Sequence, residues 1–288
     1  MLEKKTFVLA VSGGVDSVVL LHKLTQNQPD GIDYVVAHYD HGIREDSSED
    51  AEFVRSLAKK QELQFELGEG KLGKYASEQL ARYTRYDFLR SIAKKHNAEK
   101  IITAHHQDDL IETMIINILR GTSPRGLAPM KGQSDLLRPL MNSSKSQLIK
   151  YANEHNLEWR EDPTNMDEKY LRNYVRLNIM PKLENSREEL MSINRKIDEI
   201  YHDIDTRMAG FLYGKKVIPR PWLVSLPYSV QKEFIYAWLV RMNIKDIDKT
   251  LIERLALACK TLPIGKKVDV VNGVELVSEK ENLHFSSR

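Results

Sequence analysis

Cysteine is almost absent from this chain, whose 288 residues include one, Cys259. A single thiol excludes a disulfide framework, a CxxC redox pair and a thiolate zinc site within one chain. Long hydrophobic runs are absent too: the apolar stretch 7–11 is too short for a signal sequence or a transmembrane helix. These absences predict a cytoplasmic protein without a membrane segment.

A marked excess of either charge sign is also missing, because 43 Lys and Arg residues face 41 Asp and Glu residues, for a net charge of +2. This balance does not demand a nucleic-acid partner, although local clusters of charge still permit one. The hydrophobic content of 41% suffices for a real core. The length suits one large domain plus a smaller one.

The most informative stretch present is SGGVDS, residues 12–17, between an apolar strand and an apolar-periodic helix. A strand, a glycine turn and a helix N-terminus form an anion site, because the freed backbone amides and the helix dipole both favour a phosphate. The Lys of a Walker A loop is missing, and Asp16 stands in the turn instead. A carboxylate beside a phosphate implies a bridging cation or a cationic co-substrate.

This hexapeptide resembles the pyrophosphate-binding loop of the PP-loop ATP pyrophosphatases. Members of that superfamily cleave ATP between its α and β phosphates and adenylate a carbonyl oxygen of their substrate. The resemblance therefore implies ATP binding by the loop.

Strand-like and helix-like segments alternate in the first half of the chain, which predicts an α/β fold with a doubly wound parallel sheet. The predicted strands are 7–11, 34–38, 65–67 and 101–104. Three of them run directly into polar clusters, which begin at Ser12, His38 and His105. Since ligands bind outside the carboxyl ends of such strands, one crevice would collect all three clusters.

The cluster after the fourth strand places Asp109 and Glu112 in the first turns of a helix. Acidic residues there often only complement the helix dipole, which explains one or two of them. A His/Asp metal site is an open alternative, although its spacings match no known zinc motif. Its candidates are His38, His41, His105 and Asp109. We favour Mg²⁺ held with ATP by carboxylates, whose hard oxygen atoms suit it.

Capping signals predict where several helices begin and end. The helix after the second strand begins near Asp46, Ser47 or Ser48, and a later one opens at Ser143 or Ser144 with Gln147 as a capping-box partner. The segment that contains Arg172 and Arg176 is predicted to be helical until Pro181. Two pairs of arginines lie on shared helix faces, Arg82 with Arg85 and Arg172 with Arg176. Their spacing fits a functional basic surface and an ordinary solvated surface equally well.

The composition changes near Leu183, where a long amphipathic helix is predicted. Beyond it the sequence predicts a strand at 217–218, helices over 227–242 and 246–260, and a hairpin whose Asn272-Gly273 turn suits type I′. The predicted division is a catalytic domain over 1–182, a linking helix over 183–213 and a smaller, mainly helical domain over 214–288.

The motifs together resemble the tRNA(Ile)-lysidine synthetase family. The resemblance covers residues 1 to about 182 and rests on SGGVDS, HYDHGIR, ARYTRYDFL, AHHQDDLIET, RGTSPRGL, RPL, EDPTN and RNYVR. It implies ligation of free L-lysine to C2 of the wobble cytidine of an isoleucine tRNA with a CAU anticodon. The cytidine is first adenylated by ATP with release of pyrophosphate, and the lysine amine then displaces AMP.

The resemblance also implies roles for individual residues. The catalytic set is Asp16, Asp109, Glu112, Arg85 and Arg176. The residues implied in ATP binding are Ser12, Gly13, Gly14, Val15, Asp16, Ser17, His38, His105, Arg120 and Gly121. The residues implied in binding the lysine ammonium are Asp16, Asp109 and Glu112, and those implied in binding Mg²⁺ are Asp16 and Asp109. For tRNA binding the expected residues are Arg82, Arg172, Arg187, Arg195 and Lys196, the last three through phosphate contacts of the linking helix.

Three alternatives remain open at this stage. A tRNA thiolase of the same superfamily needs cysteines near the loop, and GMP synthetase needs a glutaminase partner. An inactive PP-loop protein that only binds RNA or nucleotide is the third, and the intact acidic set argues against it. A homodimer is left open as the oligomeric state.

Overall fold

A computed structural model of the chain describes residues 4–42, 47–70, 72–73, 77–130, 134–161, 167–244, 247–271 and 273–287. Some sequence predictions lie outside these ranges, namely motif residues 43–44 and 162–165, the possible N-cap Asp46, the helix start at Asp246 and the turn residue Asn272. The chain forms two compact units. The first comprises Met1–Ile116 and Pro129–Glu188, and the second comprises Asn117–Ala128 and Glu189–Arg288.

The first unit is built on a five-stranded parallel sheet with the strand order β3-β2-β1-β4-β5. The strands are β1 (Lys5–Ala10), β2 (Ile32–Asp40), β3 (Gln64–Glu69), β4 (Lys100–Ile102) and β5 (Leu136–Leu137). The strand order reverses between β1 and β4, and ligands of open α/β sheets bind at such a point. The predicted sheet and its first four strands are confirmed, whereas the two-residue β5 was not predicted.

Helices connect these strands and cover the sheet. They are α1 (Val15–Gln26), α2 (Ser47–Lys60), α3 (Glu78–Lys95), α4 (Gln107–Leu119), which continues into the second unit, α5 (Lys145–Glu154) and α6 (Leu171–Tyr174). Side chains alternate along the strands, so Leu9 and Val36 pack in one cluster with α1, α2 and α5, while Val8 and Val35 pack in another with α3. Burial on both faces explains why these strands are apolar throughout.

The helix boundaries agree with the capping signals in two places. The helix α2 begins at Ser47, one of its predicted starting residues. The helix α5 begins with a complete capping box between Ser144 and Gln147. Pro181 does not end the helical segment, contrary to the prediction. A π-helical turn, Val175–Ile179, leads into a 3₁₀ segment, Met180–Ser186, with Pro181 in its first turn, where a missing N–H is tolerated.

The second unit combines helices with an antiparallel sheet of order β6-β9-β8-β7. Its helices are α7 (Arg187–Leu212), which starts in the first unit, α8 (Arg220–Ser225), α9 (Tyr228–Arg241) and α10 (Lys249–Thr261). Its strands are β6 (Val217–Pro219), β7 (Lys267–Val271), β8 (Val274–Ser278) and β9 (Asn282–Ser287). The predicted hairpin is β7–β8, and the core gathers around the buried Phe234 and Trp238.

The segment Asn117–Ala128 contacts residues of the second unit that come much later in the chain. Arg125 donates to both carboxylate oxygens of Asp205 at 3.0 Å and to Glu233 at 2.6 Å. Its guanidinium lies over the rings of Tyr201 and Tyr236, 4.3 and 4.0 Å from their centroids. Two carboxylates and two aromatic faces therefore fix this arginine. Among the helices that the structure describes, none is both long and apolar enough to cross a membrane.

Candidate active site

The SGGVDS loop leaves β1 and turns into α1 through Gly13, whose φ of +93° favours glycine. The hydroxyl oxygen of Ser17 accepts hydrogen bonds from the amides of Ser12 at 3.2 Å and Gly13 at 3.1 Å, and it donates to the Gly14 carbonyl at 2.8 Å. The carbonyl of Gly13 accepts from the amide of Arg160 at 3.0 Å. The loop is therefore held from inside by Ser17 and from outside by Arg160.

Asp16 lies in the first turn of α1 and is paired with a cation that the sequence did not reveal. Lys145, the first residue of α5, donates to both carboxylate oxygens of Asp16, at 2.8 and 2.9 Å. Burial opposes ionisation of Asp16, but His106 and Lys145 outweigh it and lower the pKa of the carboxyl. A charged carboxylate is therefore stable beside the predicted phosphate site.

His106, which is buried, lies among three carboxylates. Its Nε2 is 3.5 Å from Asp16 and from Asp109, and its Nδ1 is 3.6 Å from Asp108. Burial alone would lower the pKa of this ring, but its hydrogen bonds to Asp108 and Asp16 and the charge of Asp109 raise the pKa to about 10. The Asp108 amide also lies 3.2 Å from Nδ1, a contact that suits a neutral ring. We favour the charged ring, because three carboxylates surround it.

Asp108 connects this cluster to the start of α7. It accepts from Arg187 at 2.7 Å and from the amide of Lys145 at 2.8 Å. Burial is the largest influence and acts against ionisation, yet the bonds from His106, Arg187 and Lys145 hold the pKa of Asp108 well below its usual range. Charges thus alternate from Arg187 through Asp108, His106 and Asp16 to Lys145.

Glu112 and Arg176 form the second ion pair of the site. Nε and Nη2 of Arg176 donate to the two oxygens of Glu112 at 2.7 and 3.0 Å, and Nη2 is 3.9 Å from Asp109. The Glu112 side chain is 2% exposed, and burial raises its pKa although Arg176 opposes the shift. The predicted catalytic residues Asp16, Asp109, Glu112 and Arg176 are therefore brought together by α1, α4 and the π-helical turn.

The remaining histidines at this edge of the sheet are held neutral. Burial, the first cause in each case, lowers the pKa of His38, and it lowers the pKa of His41 and His105 to about 4 with the help of nearby arginine charges. The arginines that act on His105 are Arg82, Arg138 and Arg85, and Arg85 also acts on His41. Arg82 and Arg85 of α3 are therefore close enough to these histidines to act on them electrostatically.

Of the other predicted residues, some border this cluster and some belong to the second unit. Arg172 donates to Thr113 at 3.3 Å, next to the Glu112 pair. Arg120 and Gly121 follow the last turn of α4 and belong to the second unit, as do the exposed Arg195 and Lys196. Their assignments stay predictions, as does that of Arg187, whose side chain is 16% exposed and carries two carboxylate partners.

Sequence reasoning missed several residues of the site. They are Lys145, His106, Asp108, Arg138 and Arg160. His106 and Asp108 stood within the HHQDD cluster, and Arg138 within the RPL motif, so a signal was available for these three. Lys145 and Arg160 are single basic residues outside any quoted motif, and a lone Lys or Arg is usually solvated.

The residues at the loop suit Mg²⁺ better than a transition metal. Within the ranges described above, no group of three or more His, Cys, Asp or Glu residues is arranged to hold a metal ion. Asp16 and Asp109 offer only hard carboxylate oxygens, and Mg²⁺ typically takes one or two carboxylates together with substrate phosphates. The donor set therefore fits Mg²⁺ that is shared with ATP.

Comparison with known proteins identifies the family of the chain. Residues 2–183 match the PP-loop domain family. A tRNA(Ile)-lysidine synthase of Bdellovibrio bacteriovorus is 33% identical over 268 residues, which cover 88% of this chain and 83% of that protein. The chain belongs to the tRNA(Ile)-lysidine synthase family.

Other family members are longer than this chain. The tRNA(Ile)-lysidine synthase of Thermotoga maritima is 40% identical over 194 residues, or 64% of this chain and 47% of that protein. The chain thus spans about half the length of several curated relatives it matches. A solved U34-tRNA thiolase of Methanococcus maripaludis with a [4Fe-4S] cluster shares the fold, with a TM-score of 0.59, 16% identity, and coverage of 69% of this chain and 72% of that one.

Proposed function

We propose that this family member ligates free L-lysine to C2 of the wobble cytidine of an isoleucine tRNA with a CAU anticodon. Its co-substrate is ATP, and its products are lysidine, AMP and pyrophosphate. The observation that carries the proposal is Asp16, an ionised carboxylate inside an amide-lined anion loop and beside the acidic residues of α4. Such a site accepts an anion and a cation side by side.

In the first half-reaction, O2 of the cytidine attacks the α-phosphorus of ATP and the bond to pyrophosphate breaks. Ser17 already accepts from the amides of Ser12 and Gly13, so the polyphosphate would bind at the first amides of α1, where the helix dipole adds positive charge. Asp16 and Asp109 would hold Mg²⁺, which neutralises phosphate charge. Arg85 and Arg176 supply positive charge near the phosphoryl oxygens, where negative charge develops. His38 and His105 are neutral and border the nucleotide.

In the second half-reaction, the ε-amine of lysine attacks C2, and the bond from C2 to the AMP oxygen breaks. The substrate ammonium has a pKa of ~10.4, so it must lose a proton before it is a nucleophile. Asp16, Asp109 and Glu112 form the acidic set that binds it. A carboxylate of this set then receives the proton.

The assay mixes the full chain with isoleucine tRNA, ATP and Mg²⁺, with and without L-lysine. We expect pyrophosphate release in both mixtures and a lysine mass added to the tRNA only in the second. Pyrophosphate release followed by a thiolated nucleoside would identify a thiolase, and tRNA binding without pyrophosphate release would identify an inactive binding protein. A thiolase needs thiolates for a cluster or persulfide, whereas the one cysteine here is buried with its pKa raised to about 12 by burial.

We further propose that the second unit binds the tRNA stem through phosphate contacts. Arg195 and Lys196 are exposed neighbours on α7 and are suited to this task. Phosphate contacts release counterions, so log K should fall linearly with log salt, and Arg195→Ala with Lys196→Ala should reduce the slope by roughly 0.7–0.9 per residue. Filter binding at several salt concentrations measures the slope, and an unchanged slope in the double variant would remove these two residues from the interface.

A further inference from the structure

Lys145 is the residue at the loop whose role the proposed chemistry has not yet used. Its ammonium donates to both oxygens of Asp16, at 2.8 and 2.9 Å, in a pair whose side chains are 40% and 27% exposed. A primary ammonium on a four-carbon stem is also the reacting end of free lysine. Lys145 therefore presents to Asp16 the same chemical group as the substrate in the proposed reaction.

The backbone of Lys145 is held by hydrogen bonds at the start of α5, whereas its side chain is 40% exposed. Its amide donates to the buried Asp108 at 2.8 Å, and the capping box of Ser144 and Gln147 holds the helix start. The side chain contacts Asp16, within the SGGVDS loop, and is partly solvated. A rotation of its stem can move the ammonium to another anion nearby without moving α5.

Asp16 already accepts from Lys145 with both oxygens and lies 3.5 Å from Nε2 of His106, which leaves too few of its lone pairs for two hydrogen bonds from a second ammonium. The three acidic residues assigned to lysine have few free acceptors, because Lys145 covers Asp16, Arg176 covers both oxygens of Glu112, and one oxygen of Asp109 accepts from the His106 amide at 3.0 Å. A polyphosphate in the loop carries several negative charges and competes for Lys145 more strongly than one carboxylate does.

We propose that Lys145 occupies the ammonium site on Asp16 until ATP binds, and that it then moves to the polyphosphate. Asp16, together with Asp109, is then shared between Mg²⁺ and the ammonium of free lysine. This inference rests on the proposed function. ATP and lysine then bind with positive coupling, and coupling is reciprocal, so each ligand raises the affinity for the other by the same factor. Free lysine is thereby kept from the site until the nucleotide is in place.

The test titrates L-lysine into the full chain by calorimetry, with and without Mg²⁺ and α,β-methylene-ATP, which resists cleavage between the α and β phosphates. In the wild type we expect lysine affinity to rise by about tenfold when the analogue is bound, within the usual range of coupling. In Lys145→Met we expect tighter lysine binding without the analogue, a coupling factor near one and weaker binding of the analogue itself.

Lys150→Met is the matched control, because Lys150 lies on the same helix and pairs with the exposed Glu154 at 3.8 Å. It should keep the wild-type coupling, and Lys145→Arg should keep part of it. Equal lysine affinity with and without the analogue in the wild type, or full coupling in Lys145→Met, overturns the inference. If Lys145→Met does not fold, the wild-type comparison and Lys145→Arg still decide. Lysidine formation from tRNA is measured separately, so an active enzyme without coupling contradicts only this inference.

Discussion

Asp16 is the residue on which most of the proposed chemistry depends, because it faces the anion loop, Lys145 and His106 together. Asp16→Asn keeps the shape of the side chain and removes its charge. We expect pyrophosphate release to fall by roughly 10²–10³-fold, the usual loss when one electrostatic contact of a reacting group is removed. Asp33→Asn is the control, because Asp33 forms an exposed pair with Lys4. Normal pyrophosphate release from a folded Asp16→Asn variant would contradict the assignment.

The raised pKa of His106 predicts that the stability of the protein depends on pH, and it fixes the sign of that dependence. Between the unfolded value of about 6.5 and the folded value of about 10, the folded protein binds a proton that the unfolded chain does not. This contribution is fully present below pH 6.5 and is lost as the pH rises toward 10, with a slope of up to about 1.4 kcal/mol per pH unit. Urea unfolding at several pH values should show a smaller loss of stability above pH 7 in His106→Asn than in the wild type. Equal slopes in both proteins would mean that the ring is neutral when folded.

Among the elements, α5 matters most for the site, because its first residue is Lys145. The Ser144 hydroxyl accepts from the amide of Gln147 at 3.2 Å. Ser144→Ala removes this cap, and we expect a loss of about 1 kcal/mol in unfolding free energy together with weaker ATP binding. Asp248→Ala is the matched control, because Asp248 caps α10 in the second unit through the amide of Leu251 at 2.7 Å. It should lower stability by a similar amount and leave ATP affinity unchanged.

Sequence periodicity predicted the elements whose burial is strong and regular. The first four parallel strands are apolar because both faces are covered, and the Ser144 box has a local signature. The strand β5 has only two residues, Leu136 and Leu137, which is too short for any period to appear. β9 was missed as well, although it lies between β6 and β8 and completes the second sheet.

The acidic centre of the candidate site was predictable, but its cations were only partly so. Asp16 and Asp109 follow β1 and β4, which flank the reversal of strand order, and that position alone indicates a site. Lys145 reaches Asp16 over a separation of 129 residues. Such a pair depends on how α5 packs against α1, and no local pattern encodes that packing.

At the scale of the whole molecule, the contacts of Arg125 are expected to hold the segment Asn117–Ala128 within the second unit. Its side chain is 18% exposed and pairs with two partly exposed carboxylates, so Arg125→Ala removes the cation that both of them bind. We expect a loss of about 1.5–3 kcal/mol in the unfolding transition reported by Trp222 and Trp238. Arg207→Ala is the control, because its pair with Asp203 is exposed to solvent and contributes little to stability. Equal effects of the two substitutions would show that the Arg125 contacts do not anchor the segment.

The same arginine sets a time order during synthesis on the ribosome. Its carboxylate partners lie 80 and 108 residues further along the chain, so the segment leaves the ribosome long before the helices that bind it. At 5–20 residues per second this delay amounts to roughly 5–20 s. Throughout that interval most of the first unit has already been synthesised, whereas Arg125 still lacks its carboxylate partners. Codon choice or chaperone supply over the stretch from Arg125 to Glu233 should therefore influence the yield of active enzyme more than the same changes at the C-terminal hairpin.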